Sequence, residues 1–160
     1  MSDFKLIQLN QRNIKYDIFS QQDLIVLDDL NSLSTGLTSE LTKYVVNGGN
    51  LLIFPGYQID DSFNTLFGQM QLDRMGDFKN EVQKVSTINT EEFVFNDVYL
   101  SSKKNIRLPE TKGNYQILKN QRAQKESLLN YRDGSPNLIK YKSGQGQVYL
   151  SAAPMDKDYN

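Results

Sequence analysis

The chain has 160 residues, 18 basic and 19 acidic, for a formal net charge of −1, and it contains neither Cys nor His. That length fits one domain over residues 1–160, long enough to bury about two thirds of the surface its unfolded form exposes. The scattered charges exclude an electrostatic footprint for nucleic acid or a membrane surface, and the missing Cys excludes disulfides and thiolate chemistry.

No run approaches about 18 apolar residues and the first residues lack a signal-peptide pattern, so the chain as given reads as soluble, with no direct membrane contact. Residues 4–9 are the first apolar run and residues 24–27 the second. The second is unbroken by polar residues, as expected of a parallel strand buried on both faces, and the two are expected to be neighbours in one sheet. Leu33, Leu37, Leu41, Tyr44 and Val45 then recur at helical spacing, with Thr38 the candidate N-cap, Glu40 in the first turn and Gly48 at the stop. Residues 51–54 form a third apolar run stopped by Pro55-Gly56, completing a right-handed strand-helix-strand unit.

Ile59, Phe63, Leu66 and Phe67 suit a short helix. Residues 69–80 read as a connection with Gly76 in a turn. From residue 82 onward the chain is β-rich and aromatic, with strand candidates at 82–88, 93–100, 115–119, 127–131, 137–141 and 147–152. Asp133-Gly134 and Gly144-Gln145-Gly146 mark hairpin turns. The aromatics Phe93, Phe95, Tyr99, Tyr131, Tyr141 and Tyr149 read as core and cross-strand pairs rather than a binding face.

In doubly wound sheets ligands sit beyond the carboxyl ends of the strands, which brings Asp28, Asp29 and Asn31 together with Pro55-Gly56-Tyr57 and Pro154-Met155-Asp156. As ligand-binding residues, Asp28, Asp29, Asn31 and Asp156 would hold a sugar, a cation or a partner's basic group, and Tyr57 would be a stacking surface. As scaffold, the acids would be turn-formers and helix caps. No D-x-D-x-D-G loop occurs, so no metal is expected. Gly48-Gly49 lies at a helix C-terminus, where the dipole repels anions, and Gly144-Gln145-Gly146 precedes a strand; no cofactor is expected from either. There is no G-x-S-x-G, and no spacing supplies a base for Ser62 or Ser151.

The string D-L-I-V-L-D-D-L through V-V-N-G-G-N-L-L-I-F-P-G, followed by L-P-E-T-K-G-N-Y, D-G-S-P-N-L and G-Q-G-Q-V-Y-L-S-A-A-P-M-D, resembles the class I glutamine amidotransferase-like domain of Bat-type (aerotolerance-associated) bacterial membrane proteins. The resemblance implies an α/β flavodoxin-like three-layer sandwich with a mostly parallel sheet and a β-rich C-terminal half. It also implies a periplasmic domain of an inner-membrane protein, excised from a longer chain, with its first strand edge uncovered around Leu6, Leu9 and Leu24 and prone to self-association. Amidotransferases carry a Cys at the turn where this chain has Pro55-Gly56-Tyr57, and a His later; Glu91-Glu92 likewise stands where a His-Pro pair is expected. Nucleophile and base are therefore missing. The expected function is a noncatalytic binding module for a protein partner or an envelope saccharide. The alternative is a degenerate hydrolase acting on a saccharide with Asp29 and Asp156 as its carboxylate pair.

Overall fold

The apolar run at residue 24 becomes β1 (Leu24–Leu30) and that at residue 51 becomes β2 (Asn50–Pro55) in the computed structural model of the chain, which describes residues 5–92, 95 and 107–159. The two strands pair in parallel, Leu27 opposite Ile53. Between them runs α1 (Thr35–Val46), whose N-cap is Ser34 rather than Thr38: the Ser34 hydroxyl accepts from Leu37 N at 3.2 Å. Starting earlier puts Glu40 beyond the first turn. The stop falls where expected, because Gly48 takes φ 109°, a left-handed value that favours glycine, and donates to Val45 O at 2.9 Å. Helix α2 (Asp61–Gln69) starts at Asp60, whose side chain accepts from Ser62 N at 2.9 Å.

The remaining strands are β3 (Arg74–Lys79), β4 (Gln83–Ile88), β5 (Glu110–Thr111), β6 (Asn114–Leu118), β7 (Gln124–Tyr131), β8 (Pro136–Ser143) and β9 (Gly146–Ser151). A seven-stranded sheet runs in the order β1-β2-β9-β8-β7-β4-β5, and β3 and β6 form a separate antiparallel ribbon. Only β1–β2 and β2–β9 are parallel; the other neighbours in the sheet are antiparallel. The expectation of a mostly parallel sheet is therefore corrected to a mixed one. Hairpins join β7 to β8 and β8 to β9, and a hairpin needs no crossover helix. Fewer helices follow.

Leu51 and Ile53 on β2, Val148 and Leu150 on β9, and Ile139 and Tyr141 on β8 share one apolar cluster with Leu37, Leu41 and Val45 of α1 and Phe63, Leu66 and Phe67 of α2. Both α-helices thus pack on the same sheet face. On the opposite face Leu24 and Val26 stay 48% exposed, so these strands are not buried on both sides. Among the described residues the second helical layer of a three-layer sandwich is not seen. Residues 5–9 form no strand, and Leu6 is 89% exposed. Strand β1 is left at the sheet edge, with Leu6, Leu9 and Leu24 uncovered.

Strand β3 falls in the stretch read as a connection. Its sequence, Arg-Met-Gly-Asp-Phe-Lys, has poor β-propensity, and pairing with β6 overrides it; Gly76 lies inside the strand, where the register shifts between Met75 and Phe78. Just before it, Asp73 is 1% exposed. Its carboxylate accepts from Asn120 N at 2.7 Å, from the Tyr141 hydroxyl at 3.0 Å and from the Lys125 ammonium. Burial, and then the Asp73 charge, push the Tyr141 phenol far up. Tyr131 and Tyr141 are core residues. The strand reading of residues 93–100 lies, apart from residue 95, outside the described residues.

Candidate functional site at the carboxyl edge

Because β2 lies between β1 and β9 and all three run parallel, their carboxyl ends open on one edge of the sheet. That order brings together the three segments expected there. The side chains then divide into free groups and scaffold.

Asp28 and Asp29 are free. Asp28 pairs with Phe54 and Leu30 with Pro55, so Asp29 is bulged out between them. Its φ is 53°, a left-handed value uncommon outside glycine though better tolerated by Asp than by most residues. Both residues are exposed, and among the described residues neither carboxylate has a hydrogen bond or ion pair.

Asn31 and Asp156 are scaffold. Asn31 Oδ1 accepts from Gln58 N at 3.3 Å and its backbone oxygen from Asp60 N at 2.8 Å, tying the loop after β1 to the loop after β2. Gly56 makes this possible, since a Cβ there would stand 2.0 Å from Asn31 Oδ1 and 2.9 Å from Leu30 O. Asp156 accepts from Asp158 N at 2.8 Å, the local bond of a turn-former.

Tyr57 has an unexpected partner. It stays 38% exposed but stacks on Tyr159, ring centroids 4.9 Å apart and planes at 14°, and meets the edge of Phe78 at 5.0 Å. One ring face is thereby covered by the chain itself. Below it the Tyr115 hydroxyl lies 2.6 Å from the backbone oxygens of both Gly56 and Tyr57 and accepts from Ile59 N at 3.2 Å. Burial pushes the Tyr115 phenol up. The Tyr159 phenol is also raised, by desolvation first, then by its hydrogen bond with Tyr57 and by nearby charges that include Asp156 and Asp158. The edge is therefore both aromatic and electronegative. Tyr115, Phe78 and Tyr159 were not among the residues expected here, because Phe78 lies in the misread β3 and Tyr159 in a terminal polar run without periodicity.

The sequence paired Asp29 with Asp156 as an acid and base. Strand β2 separates them by two strand spacings, about 10 Å of backbone, and Asp156 is committed to its own turn. A cavity of about 490 Å³ and a groove of about 270 Å³ both lie elsewhere and are lined by no carboxyl-edge residue. The carboxylates that do meet are Glu92 and Glu126, beside the smaller groove on β7 and β8. Glu126 faces Lys140 across the ladder, and the Lys140 ammonium donates to Glu92 at 2.7 Å. The hydrogen bond from Glu126, and then that from Lys140, hold the Glu92 carboxyl low, while the same contact with Glu92 holds Glu126 high. The two carboxyls titrate as a pair, their proton affinities pushed in opposite directions.

This pair gives stability a sign-dependent response to pH. The raised Glu126 contributes fully below the unfolded glutamate value of about 4.3 and loses that contribution as pH rises through its folded value. The lowered Glu92 does the reverse, losing its contribution as pH falls through its folded value. Glu126→Gln keeps a donor to Glu92 but has no proton to lose. The melting temperature of the variant minus that of the native chain is expected to grow more positive from about pH 4 to about pH 8. A constant difference across that range would show that the two carboxyls do not influence each other's titration.

No family model matches the chain, and no curated protein matches it. Solved structures do. A cytoplasmic protein from Salmonella typhimurium superposes with a TM-score of 0.71 at 17% identity, over 92% of this chain and 67% of its own. A cytoplasmic protein from Salmonella typhimurium LT2 gives 0.68 at 17% identity, over 89% and 64%. A ThuA-like protein from Bacteroides uniformis gives 0.60 at 12% identity, over 92% and 66%. The chain spans about two thirds of the length of these proteins. Two expectations are overturned. These three neighbours are cytoplasmic and ThuA-like proteins rather than Bat-type domains, which removes the basis for that resemblance. The periplasmic, membrane-anchored location falls with it, and no helix among the described residues is long and apolar enough to cross a membrane. At these identities the likeness shows a fold shared with ThuA-like and cytoplasmic bacterial proteins.

Proposed function

We propose that the domain is a noncatalytic binding module that takes a basic group of a protein partner at the carboxyl edge of β1, β2 and β9. Asp29 carries this reading: it is held at φ 53° in a bulge, with its carboxylate unpaired among the described residues. Strain of this kind, kept where no packing uses the side chain, points to function. Asp28 adds a second exposed charge, and the Tyr57–Tyr159 stack adds a flat apolar surface at the same edge. Charge beside an aromatic plane suits Lys or Arg. A saccharide, the other expected partner, would use the same acids as acceptors. Without Cys or His the chain has no thiolate and no imidazole for acyl transfer.

Titration calorimetry with an Arg-rich octapeptide and with a soluble neutral oligosaccharide tests the reading. The peptide is expected to bind, and Asp29→Asn to weaken it by about tenfold or more through the lost charge-assisted contact. Asn tolerates the left-handed conformation, so the melting temperature should stay unchanged. Affinity untouched by Asp29→Asn, or affinity and stability lost together, would return Asp29 to the scaffold.

A second reading rests on Glu92 and Glu126, whose opposed proton affinities beside a groove are what a carboxylate hydrolase needs. It requires glycan cleavage that Glu126→Gln abolishes. The carboxyl edge plays no part in it.

A further inference from the structure

A cavity opens at the opposite, amino-terminal edge of the sheet, between the 3-10 helix Tyr16–Gln21 and the last turns of α1. Its volume of about 490 Å³ lies within the range of small-molecule sites. The walls are aromatic. Phe19 meets Tyr16 edge-on at 5.6 Å and Tyr44 edge-on at 6.3 Å.

Tyr44 is fixed before any ligand arrives. Its hydroxyl lies 3.1 Å from Gln22 O and 3.2 Å from both Asn50 O and Asn50 N, and its ring lies flat on Gly49, where a Cβ would stand 2.3 Å from a ring carbon. A wall that does not have to be ordered on binding costs the complex less entropy.

The rim is electronegative. Asp17 and Glu40 line it together with the negative end of the α1 dipole. The cation on this rim, Lys43, is drawn to Glu40 at 2.6 Å, which leaves Asp17 with no ion pair among the described residues. Asp23 adds to the field, since its charge helps to raise the Tyr44 phenol after burial has done so. Aromatic walls under unbalanced negative charge select a compact cation and reject an anion.

We infer that this cavity binds a small organic ammonium ion, with Asp17 as the countercharge and the Tyr16, Phe19 and Tyr44 rings as its walls. This site is separate from the carboxyl edge and stands whether or not that edge binds a protein.

The test is an amide NMR titration of the full chain with choline, with n-pentylammonium, and with 3,3-dimethylbutan-1-ol, the neutral isostere of choline. Saturable shifts are expected over residues 16–22 and 40–49 with at least one of the two cations, and about tenfold weaker binding with the alcohol. Tighter binding of choline would assign recognition to the rings, and tighter binding of pentylammonium to the rim acceptors. Asp17→Asn is expected to weaken the preferred cation by about tenfold, while Asp29→Asn, at the other edge, leaves it unchanged. The inference is overturned if neither cation saturates, if the alcohol binds as well as the cations, or if Asp17→Asn binds like the native chain.

Discussion

Replacing Asp73 with Ala is expected to cost about 3 to 5 kcal/mol of folding stability, the range for breaking a buried charged pair from one side. Three donors lose their acceptor at once: Asn120 N, the Tyr141 hydroxyl and the Lys125 ammonium. Lys125 is 27% exposed and can turn toward water. The Tyr141 side chain is fully buried and cannot, so an unsatisfied hydroxyl stays in the core. Asp156→Ala serves as the contrast, since Asp156 is exposed and bonded only within its own turn; it should change stability by no more than about 0.5 kcal/mol. Urea unfolding of the two variants decides it. A loss below about 1 kcal/mol for Asp73→Ala would mean that the network is not part of the folded core.

Ile53→Ala should cost about 2 to 5 kcal/mol through lost burial and the cavity left behind. Ile53 sits between Leu27 of β1 and Leu150 of β9 and shares its cluster with Phe63, Leu66 and Phe67 of α2. Val26→Ala, one position from Leu27 on the same strand but on the half-exposed face, should cost under about 1 kcal/mol, because much of its side chain already meets water. Equal losses at the two positions in denaturant unfolding would mean that both sheet faces are buried, as the unbroken apolar runs suggested.

That asymmetry marks where sequence reasoning ran out. An unbroken run such as Leu24-Ile25-Val26-Leu27 signals a strand in a parallel pair, and β1 and β2 do pair that way. The run does not say whether a layer covers the second face, which depends on the rest of the topology. The helix of residues 35–46 was legible from period and glycine stop, but Ser34 and Thr38 are both acceptable caps, and only the start of the helix decides between them. The Asp133-Gly134 and Gly144-Gln145-Gly146 turns were legible because positive φ at Gly134 and Gly144 demands such residues. Asp73 gave no signal, since a buried Asp and an exposed one look alike in a polar stretch. At the carboxyl edge the convergence of segments followed from strand direction alone. Which polar side chains are free did not, because Asn31 and Asp156 are committed by bonds to backbone groups up to 27 residues away.

The carboxyl edge as a binding surface is the central claim, and amide chemical-shift mapping with the Arg-rich octapeptide tests it directly. Saturable shifts are predicted at residues 28–31, 56–58 and 155–159, and they should vanish in Asp29→Asn while the rest of the spectrum keeps its folded dispersion. Shifts confined to the β7–β8 groove or to the amino-terminal edge, or no saturable shift at all, would contradict it.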